Sequence, residues 1–252
     1  MTSSSPATVR VGARGSSLSL AQTSWLLEQL RDANPGLQTQ LIVIKTHGDN
    51  DQTSPLDMLW PPGGFVKEIE KALLEGQIDL AVHSLKDLPT EAVPGLLLAA
   101  IPRRAAAEDV LLTRKAVSLE ALPRGFVVAT SSPRRAHQLK TRCPQVETVP
   151  VRGNVPTRIR KLNAGEYDGI ILAAAGLERL SIRHPHTITL GPPDFLPAPG
   201  QGALAAQTRE GDGVVPLVAR IDDRDTRAAV AAERAFLGAC GGGCHSALGA
   251  LG

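Results

Sequence analysis

Phe126-Val127-Val128-Ala129-Thr130-Ser131-Ser132-Pro133-Arg134-Arg135 reads as a strand delivered directly into a helix. Phe126 to Ala129 is a short apolar run of the kind that forms a buried strand. Ser132 is the natural N-cap, because its hydroxyl can accept from a backbone N–H that has no partner inside the helix. Pro133 suits the first helical position, where no N–H is needed. The helix runs on to Thr141, and Val146 to Val151 is the next strand. A strand, a tight turn and a capped helix form the repeating unit of α/β folds.

The same alternation extends in both directions. Upstream, Val9 to Ala13 reads as a strand, and Ser16 or Ser17 caps a helix with Leu18, Ala21, Trp25 and Leu26 on one side, ended by Pro35-Gly36. Gln40 to Lys45 is a strand. Phe65, Ile69, Ala72 and Leu73 recur at helical spacing, and Gly76 stops that helix. Ile78 to Val82, Leu96 to Ala100 and Val110 to Thr113 are further strands. Downstream, Val155 to Ala164 is a helix, Gly169 to Ala173 a strand and Ala174 to Leu180 a short helix. The rhythm predicts parallel or mixed sheets with helices on both faces. The Pro- and Gly-rich stretch Gly191 to Gly200 reads as a crossing between domains. After it, Ala203 to Gln207 returns as a strand to the first block, and Asp225 or Thr226 caps a last helix through Ala239. No internal repeat stands out.

Composition narrows the function classes. The chain has 252 residues, 42% hydrophobic and 21% charged, as expected of a globular protein with two or three small domains. Aromatic residues are only 3% and the formal net charge is +2, which argues against stacking on bases and against a strongly basic nucleic-acid binder. No apolar run reaches 18 residues, and no basic-then-apolar leader opens the chain. The three cysteines, Cys143, Cys240 and Cys244, make no disulfide framework. The expectation is a cytoplasmic protein with no nucleic-acid or membrane partner.

In such sheets ligands bind beyond the carboxyl ends of the strands, and arginines recur at those ends. Arg14 lies in Ala13-Arg14-Gly15-Ser16-Ser17. Arg134 and Arg135 sit in the first helical turn after Ser132, where acidic residues suit the helix better; that local conflict points to function. Arg152 precedes Gly153-Asn154, with Arg158 one turn into the next helix. Arg179 follows Ala175-Gly176-Leu177-Glu178, where a plain helix-surface role is the competing reading. Guanidinium forks bind carboxylates in a bidentate way and helix N-termini favour anions, so a multiply anionic ligand is expected. Neither a phosphate-binding Walker loop nor a dinucleotide fingerprint is present. In His83-Ser84-Leu85-Lys86-Asp87-Leu88-Pro89, adjacent Lys86 and Asp87 end a strand. A carboxylate there can stabilise a developing cation and exchange protons; a surface ion pair is the bland alternative.

Gly241-Gly242-Gly243-Cys244-His245-Ser246 presents a thiol in a turn where glycines let a bulky group approach the backbone. A metal is not expected: Cys240 and Cys244 are separated by three residues and no second pair exists. A hinge with incidental thiols stays open on local sequence.

Taken together, these motifs resemble the porphobilinogen deaminase (hydroxymethylbilane synthase) family, from about Val9 to Ala250. The resemblance rests on Arg14-Gly15-Ser16, Phe65-Val66-Lys67-Glu68, Ala81 to Asp87, Thr130 to Arg135, and Arg152-Gly153-Asn154 with Arg158. It continues through Leu196-Pro197-Ala198-Pro199-Gly200-Gln201-Gly202-Ala203, Ala232-Glu233-Arg234 and Gly242-Gly243-Cys244. Each is weak alone and specific in combination.

The resemblance implies a three-domain protein whose first two domains, here 1–102 with 198–218 and 103–197, are like type II periplasmic binding proteins; residues 219–252 are expected to form a reduced counterpart of the third. It implies a dipyrromethane cofactor on Cys244, which primes the head-to-tail joining of four porphobilinogen units, with the linear tetrapyrrole released by hydrolysis. Asp87 and Lys86 match the catalytic positions. Ser84, Lys86, Asp87, Thr130, Ser132, Arg134, Arg135, Asn154 and Arg158 match cofactor-binding ones, and Arg14, Ser16, Gln22, Arg152, Arg158 and Arg179 substrate-binding ones. Each porphobilinogen brings an acetate and a propionate, which accounts for the arginines.

Two departures are visible. Met58-Leu59-Trp60-Pro61-Pro62-Gly63-Gly64 is bulkier and stiffer than the family's usual lid segment, and the chain stops soon after Cys244, so the third domain is expected to be short. They motivate an alternative, a divergent member that binds polycarboxylate pyrroles without full turnover. A transport solute-binding protein would share the scaffold but gives Cys244 no role.

Overall fold

The computed structural model describes residues 8–44, 66–115, 118–242 and 246–252. The expected lid at Met58–Gly64, the start of the second helix at Phe65, and Cys244 lie outside the described residues. The chain divides into two compact units, Met1–Arg104 with Ala203–Ala229, and Ala105–Gly202 with Val230–Gly252. Residues 219–252, set apart above as a reduced third domain, are shared between these two units. The Pro- and Gly-rich stretch 191–200 lies within the second unit.

The first unit holds a five-stranded sheet in the order β2-β1-β3-β10-β4. Its strands are β1 (Val9–Arg14), β2 (Thr39–Ile44), β3 (Leu80–Ser84), β4 (Leu96–Ala100) and β10 (Leu204–Arg209). β1 runs parallel to β2 and β3, whereas β10 is antiparallel to both its neighbours. Parallel neighbours need a crossover, and Ser17–Ala33 and Lys67–Leu74 are the helices between them.

Period-two alternation gives each sheet face its own core. Val9, Val11, Leu80 and Val82 pack with Leu26, Leu27 and Leu30 of the Ser17–Ala33 helix. Ala81, on the opposite face, packs with Ile69, Ala72 and Leu73 of the Lys67–Leu74 helix. The buried side of the first helix is thus Gln22, Thr23, Leu26, Leu27 and Leu30; of the expected Leu18, Ala21, Trp25 and Leu26 stripe, Leu26 is buried and the other three are partly buried. Two polar residues, Gln22 and Thr23, face inward because they have hydrogen-bond partners there.

The second unit repeats the plan. Its sheet runs β7-β6-β8-β5-β9, with β5 (Asp109–Thr113), β6 (Val127–Ala129), β7 (Glu147–Val149), β8 (Gly169–Ala173) and β9 (Thr187–Leu190). β6 is parallel to β7 and β8, and β5 is antiparallel to β8 and β9. Ile170 and Leu172 face one core with Val110 and Leu112, while Ile171 faces the other with Leu111. Both faces are buried, which is why these strands read as continuous apolar runs. Two mixed sheets with flanking helices are the architecture expected of periplasmic-binding-protein-like domains.

The two sheets share one order: three parallel strands, one antiparallel strand and a last edge strand. The antiparallel member, β10 or β5, is in each case the strand next to a point where the chain passes from one unit to the other. β9 was not foreseen; Thr187-Ile188-Thr189-Leu190 is too short and too polar to stand out. The last helix starts at Arg224, not after Asp225 or Thr226. Asp223 caps it, its Oδ1 accepting from Thr226 N–H at 2.8 Å.

Gly202 ends the second unit's central stretch in the left-handed region, with φ +85°. A Cβ there would lie 2.6 and 2.7 Å from the Ala105 and Ala106 carbonyl oxygens. Gly211 has a similar φ of +71° but open space around it. Gly211→Ala should cost about 1 to 2 kcal/mol for the backbone conformation alone. Gly202→Ala adds a backbone clash and should cost clearly more, as measured by urea unfolding; equal losses would show that the close approach to Ala105 and Ala106 carries no strain.

Candidate active site

In the first unit, the loops that end β1 and β3 come together. Arg14, Ser16, Ser19, Gln22, Val66, Ile69, His83, Ser84 and Asp87 line a small cavity of about 80 Å³. Five of these, Arg14, Ser16, Gln22, Ser84 and Asp87, were singled out from sequence. Ser16 caps the first helix, its hydroxyl accepting from Ser19 N–H, and the Ser19 hydroxyl accepts from Arg14 N–H at 3.2 Å. That exchange fixes the turn which carries the Arg14 side chain. Gln22 reaches across to the Ser84 hydroxyl at 2.9 Å.

Asp87 closes a 3-10 turn, Leu85–Asp87, directly after β3. The turn is anchored where Leu85 N–H donates to the Ala203 carbonyl at 3.0 Å. Pairing of Ser84 with Leu204 and of His83 with Ala205 holds the strand end just before it. The returning strand β10 therefore fixes the backbone that presents Asp87, whose residue is exposed, and Lys86, which is half-buried.

Beneath this cavity lies a buried chain that sequence reading did not foresee. His83 Nε2 is 3.0 Å from Gln207 Oε1, and Gln207 Nε2 donates to Glu70 Oε1 at 3.1 Å. An accepting amide oxygen assigns the ring proton to Nε2. Burial pushes the imidazole down to about 4, against the smaller upward pull of the Gln207 hydrogen bond. Burial also raises the Glu70 carboxyl, opposed by Gln207 and Lys67.

The second unit gathers the remaining predicted residues at the corresponding edge of its sheet, after β6, β7 and β8. Ser132 caps the Pro133–Arg142 helix as expected, accepting from Arg135 N–H. Asn154 caps the Val155–Asn163 helix, accepting from Thr157 N–H at 2.9 Å. The Thr130 hydroxyl accepts from Ser132 N–H at 3.2 Å. Ser131, not singled out before, ties the two loops together by bonding both the N–H and the carbonyl of Val151, at 2.9 and 2.7 Å. These hydroxyl and amide groups shape two helix N-termini, where backbone N–H groups favour anions.

The arginines differ in their surroundings. Arg134 is 3% exposed and Arg135 is 11% exposed, and both pair with Asp109, at 2.7 and 2.6 Å. Burial lowers the Arg134 guanidinium, Asp109 offsets part of this, and Arg135 lowers it further. Arg158 donates from Nε to the Gly153 carbonyl at 2.6 Å. It is pushed down by burial first and by Arg135 second, and among the described residues no carboxylate pairs with it. Arg152 keeps a buried Nη2 with no hydrogen-bond partner. Arg179 donates to the Gly202 carbonyl at 2.7 Å and is likewise lowered by burial. A buried N–H without an acceptor is costly, so Arg152 fits a site that an outside acceptor completes. Carboxylates match this donor set in charge and geometry.

Asp109 and Gln201 escaped sequence reading. Asp109 begins an apolar strand, 25 residues from Arg134, and no local pattern announces the pairing. A broader, open depression of about 580 Å³ at Arg124, Gly125 and Gln145–Glu147 lies at the opposite, amino-terminal edge of β6 and β7, away from these side chains.

Residues 9–216 match the family model described as "Porphobilinogen deaminase, dipyromethane cofactor binding domain". The chain belongs to the porphobilinogen deaminase family. A probable porphobilinogen deaminase from Pyrobaculum neutrophilum is 47% identical over 246 residues, 96% of this chain and 83% of that protein. Porphobilinogen deaminases from Roseiflexus castenholzii (46% identity, 96% of this chain, 80% of that one) and Thermus thermophilus (47%, 96% and 79%) are similarly related. Among solved structures, a TRAP periplasmic solute binding protein from Desulfovibrio salexigens gives a TM-score of 0.49 at 12% identity, over 93% of this chain and 76% of that one. Among the described residues no helix is long and apolar enough to cross a membrane, and no group of three or more His, Cys, Asp or Glu residues is placed to hold a metal ion.

The buried histidine yields a stability prediction. The folded state resists protonating His83 down to about 4, while the unfolded chain takes up the proton near 6.5. The unfolded state then binds more protons in that window, so folding stability falls as pH falls from 6.5 to 4. His83→Gln removes the effect and keeps an amide that can donate to Gln207. The stability advantage of the wild type over His83→Gln should shrink by up to about 3 kcal/mol between pH 7 and pH 4. A pH-independent difference would show that His83 takes up its proton as readily in the fold as in the unfolded chain.

Proposed function

We infer that the protein is a hydroxymethylbilane synthase, a transferase of tetrapyrrole biosynthesis that works on a dipyrromethane cofactor. Family membership over nearly the whole chain carries the activity, and the binding-only alternative is not favoured. The site supports it through one observation above others: several arginines gather at strand ends, one of them with a buried, unpartnered N–H. Such a site suits a ligand with many carboxylates, and porphobilinogen and its oligomers carry two per ring.

The donor set fits the cofactor for the same reason. When bound, the dipyrromethane supplies the primer from which the pyrrole chain grows. We assign its attachment to Cys244. Arg135, Arg152 and Arg158 bind acetate and propionate groups, helped by the helix N-termini behind Ser132 and Asn154. Asp87 accepts a pyrrole N–H and offsets the positive charge that develops on porphobilinogen as ammonia leaves. Lys86, next to it, and Arg14 with Ser16 and Gln22 bind carboxylate groups in the first unit. Arg179, bonded to the Gly202 carbonyl, supports the arginine loops. The protein acts as a monomer in the cytoplasm, without nucleic acid or membrane.

Two measurements test this reading. Intact-protein mass spectrometry should show an adduct of two pyrrole units, absent from Cys244→Ser; an active enzyme with no adduct would sink the assignment. Asp87→Asn should fold and keep its adduct but lose turnover by about 10²- to 10³-fold, the range for a lost charge-stabilising group. Turnover near that of the wild type would contradict the role given to Asp87.

A further inference from the structure

The buried side of the arginine site is organised by a single carboxylate. Asp109 opens β5, is 2% exposed, and sits at the same sheet edge as the ends of β6 and β8, because β5 runs antiparallel to β8. Its Oδ2 accepts from Arg134 Nη2 at 2.7 Å. Its Oδ1 accepts from Arg135 Nε and Nη2 at 3.0 and 2.6 Å, and from Gln201 Nε2 at 2.9 Å. Burial alone would raise its pKa, but the two guanidiniums outweigh burial and hold it low. Asp109 is therefore ionised, and one negative charge faces two positive ones.

The two arginines are not equivalent. Arg134 is sealed in and also donates to the Leu196 carbonyl at 2.5 Å, so it acts as a clamp between the helix, β5 and the Leu196 loop. Arg135 is more exposed; it also donates to the Ile171 carbonyl at 3.2 Å. A guanidinium has five N–H groups, so Arg135 retains donors beyond these bonds, and its positive charge opposes that of Arg158 as well as that of Arg134. Without a fixed carboxylate behind it, that repulsion would turn Arg135 away from Arg158.

We propose that Asp109 is a positioning residue of the synthase: it aims Arg135 so that Arg135 and Arg158 converge on the carboxylates of the bound pyrrole chain. The proposal rests on the synthase reading above. Gln201 extends the same device. Its Nε2 bonds both Asp109 and the Ala107 carbonyl, the latter at 2.7 Å. The turn that carries it is fixed where Gly200 N–H donates to the buried Glu233 carboxylate at 2.6 Å. Glu233 lies on the Arg224–Ala239 helix, which leads in sequence toward Cys244, so the alignment of Arg135 is set by the segment that precedes the cofactor cysteine.

The test compares Asp109→Asn, which keeps shape and loses charge, with Asp109→Glu, which keeps charge and moves it by one methylene. The primer is covalently held, so loss of aim should lower kcat and leave the KM for porphobilinogen within about threefold. Misplaced catalytic contacts of this kind cost about tenfold or more, which is the expected loss in kcat for both variants. Assembly of the two-pyrrole adduct on cofactor-free protein, followed by intact mass after adding porphobilinogen, should slow by about the same factor. Wild-type kcat and assembly rate in both variants would overturn the proposal. So would full recovery in Asp109→Glu alone, which would mean that only charge balance matters. If Asp109→Asn does not fold, Gln201→Met decides: slower adduct assembly at unchanged KM supports the proposal, and an unchanged rate overturns it. A wild type that forms no adduct would instead refute the synthase reading itself.

Discussion

One buried carboxylate between two guanidiniums sets the character of the second unit. Asp109 and Arg134 are almost wholly removed from water, and a lone charge in that position would be strongly unfavourable. Together they satisfy one another and tie β5, the Pro133–Arg142 helix and the Leu196 loop into one frame. The balance is deliberately incomplete. One carboxylate serves two arginines, and Arg152 and Arg158 add further positive charge with no acidic partner among the described residues. In the function proposed above, a ligand carboxylate completes the unsatisfied Nη2 of Arg152. Charge placement in the fold thus anticipates the chemistry of a substrate that adds two carboxylates at each step.

The sheet order explains how side chains far apart in sequence reach one edge. Each sheet has parallel strands whose ends deliver loops to the same side. Each also has one antiparallel strand whose beginning arrives at that side: Leu204 in the first unit and Asp109 in the second. In the first unit this strand pins Ser84 and the Asp87 turn. In the second it supplies the carboxylate that organises the arginines. The same structural position therefore supports the site in both units, by backbone pairing in one and by side-chain charge in the other.

Much of this was legible in the sequence, for physical reasons. Apolar runs bounded by capping residues marked β1, β6 and β8, and Ser132-Pro133 marked a helix start, because those signals are local. The arginines stood out since their charge conflicts with a helix N-terminus. What stayed hidden is long-range. Asp109 pairs across 25 and 26 residues, Gln201 across 92, and His83 with Gln207 across 124. The shared strand order was invisible because the antiparallel strand comes first in one unit and last in the other. The first helix presents Gln22 and Thr23 inward against its apolar pattern: Gln22 meets Ser84 across 62 residues, a partner that periodicity does not encode, and Thr23 satisfies its hydroxyl on the Ser19 carbonyl of its own helix.

A crystal structure of the cofactor-loaded protein would test the central claim most directly. The account predicts ligand carboxylate oxygens within hydrogen-bonding distance of Arg135, Arg152 Nη2 and Arg158, with the Asp109 contacts to Arg134 and Arg135 retained. Carboxylates held elsewhere, with Arg152 Nη2 still lacking a partner, would contradict it.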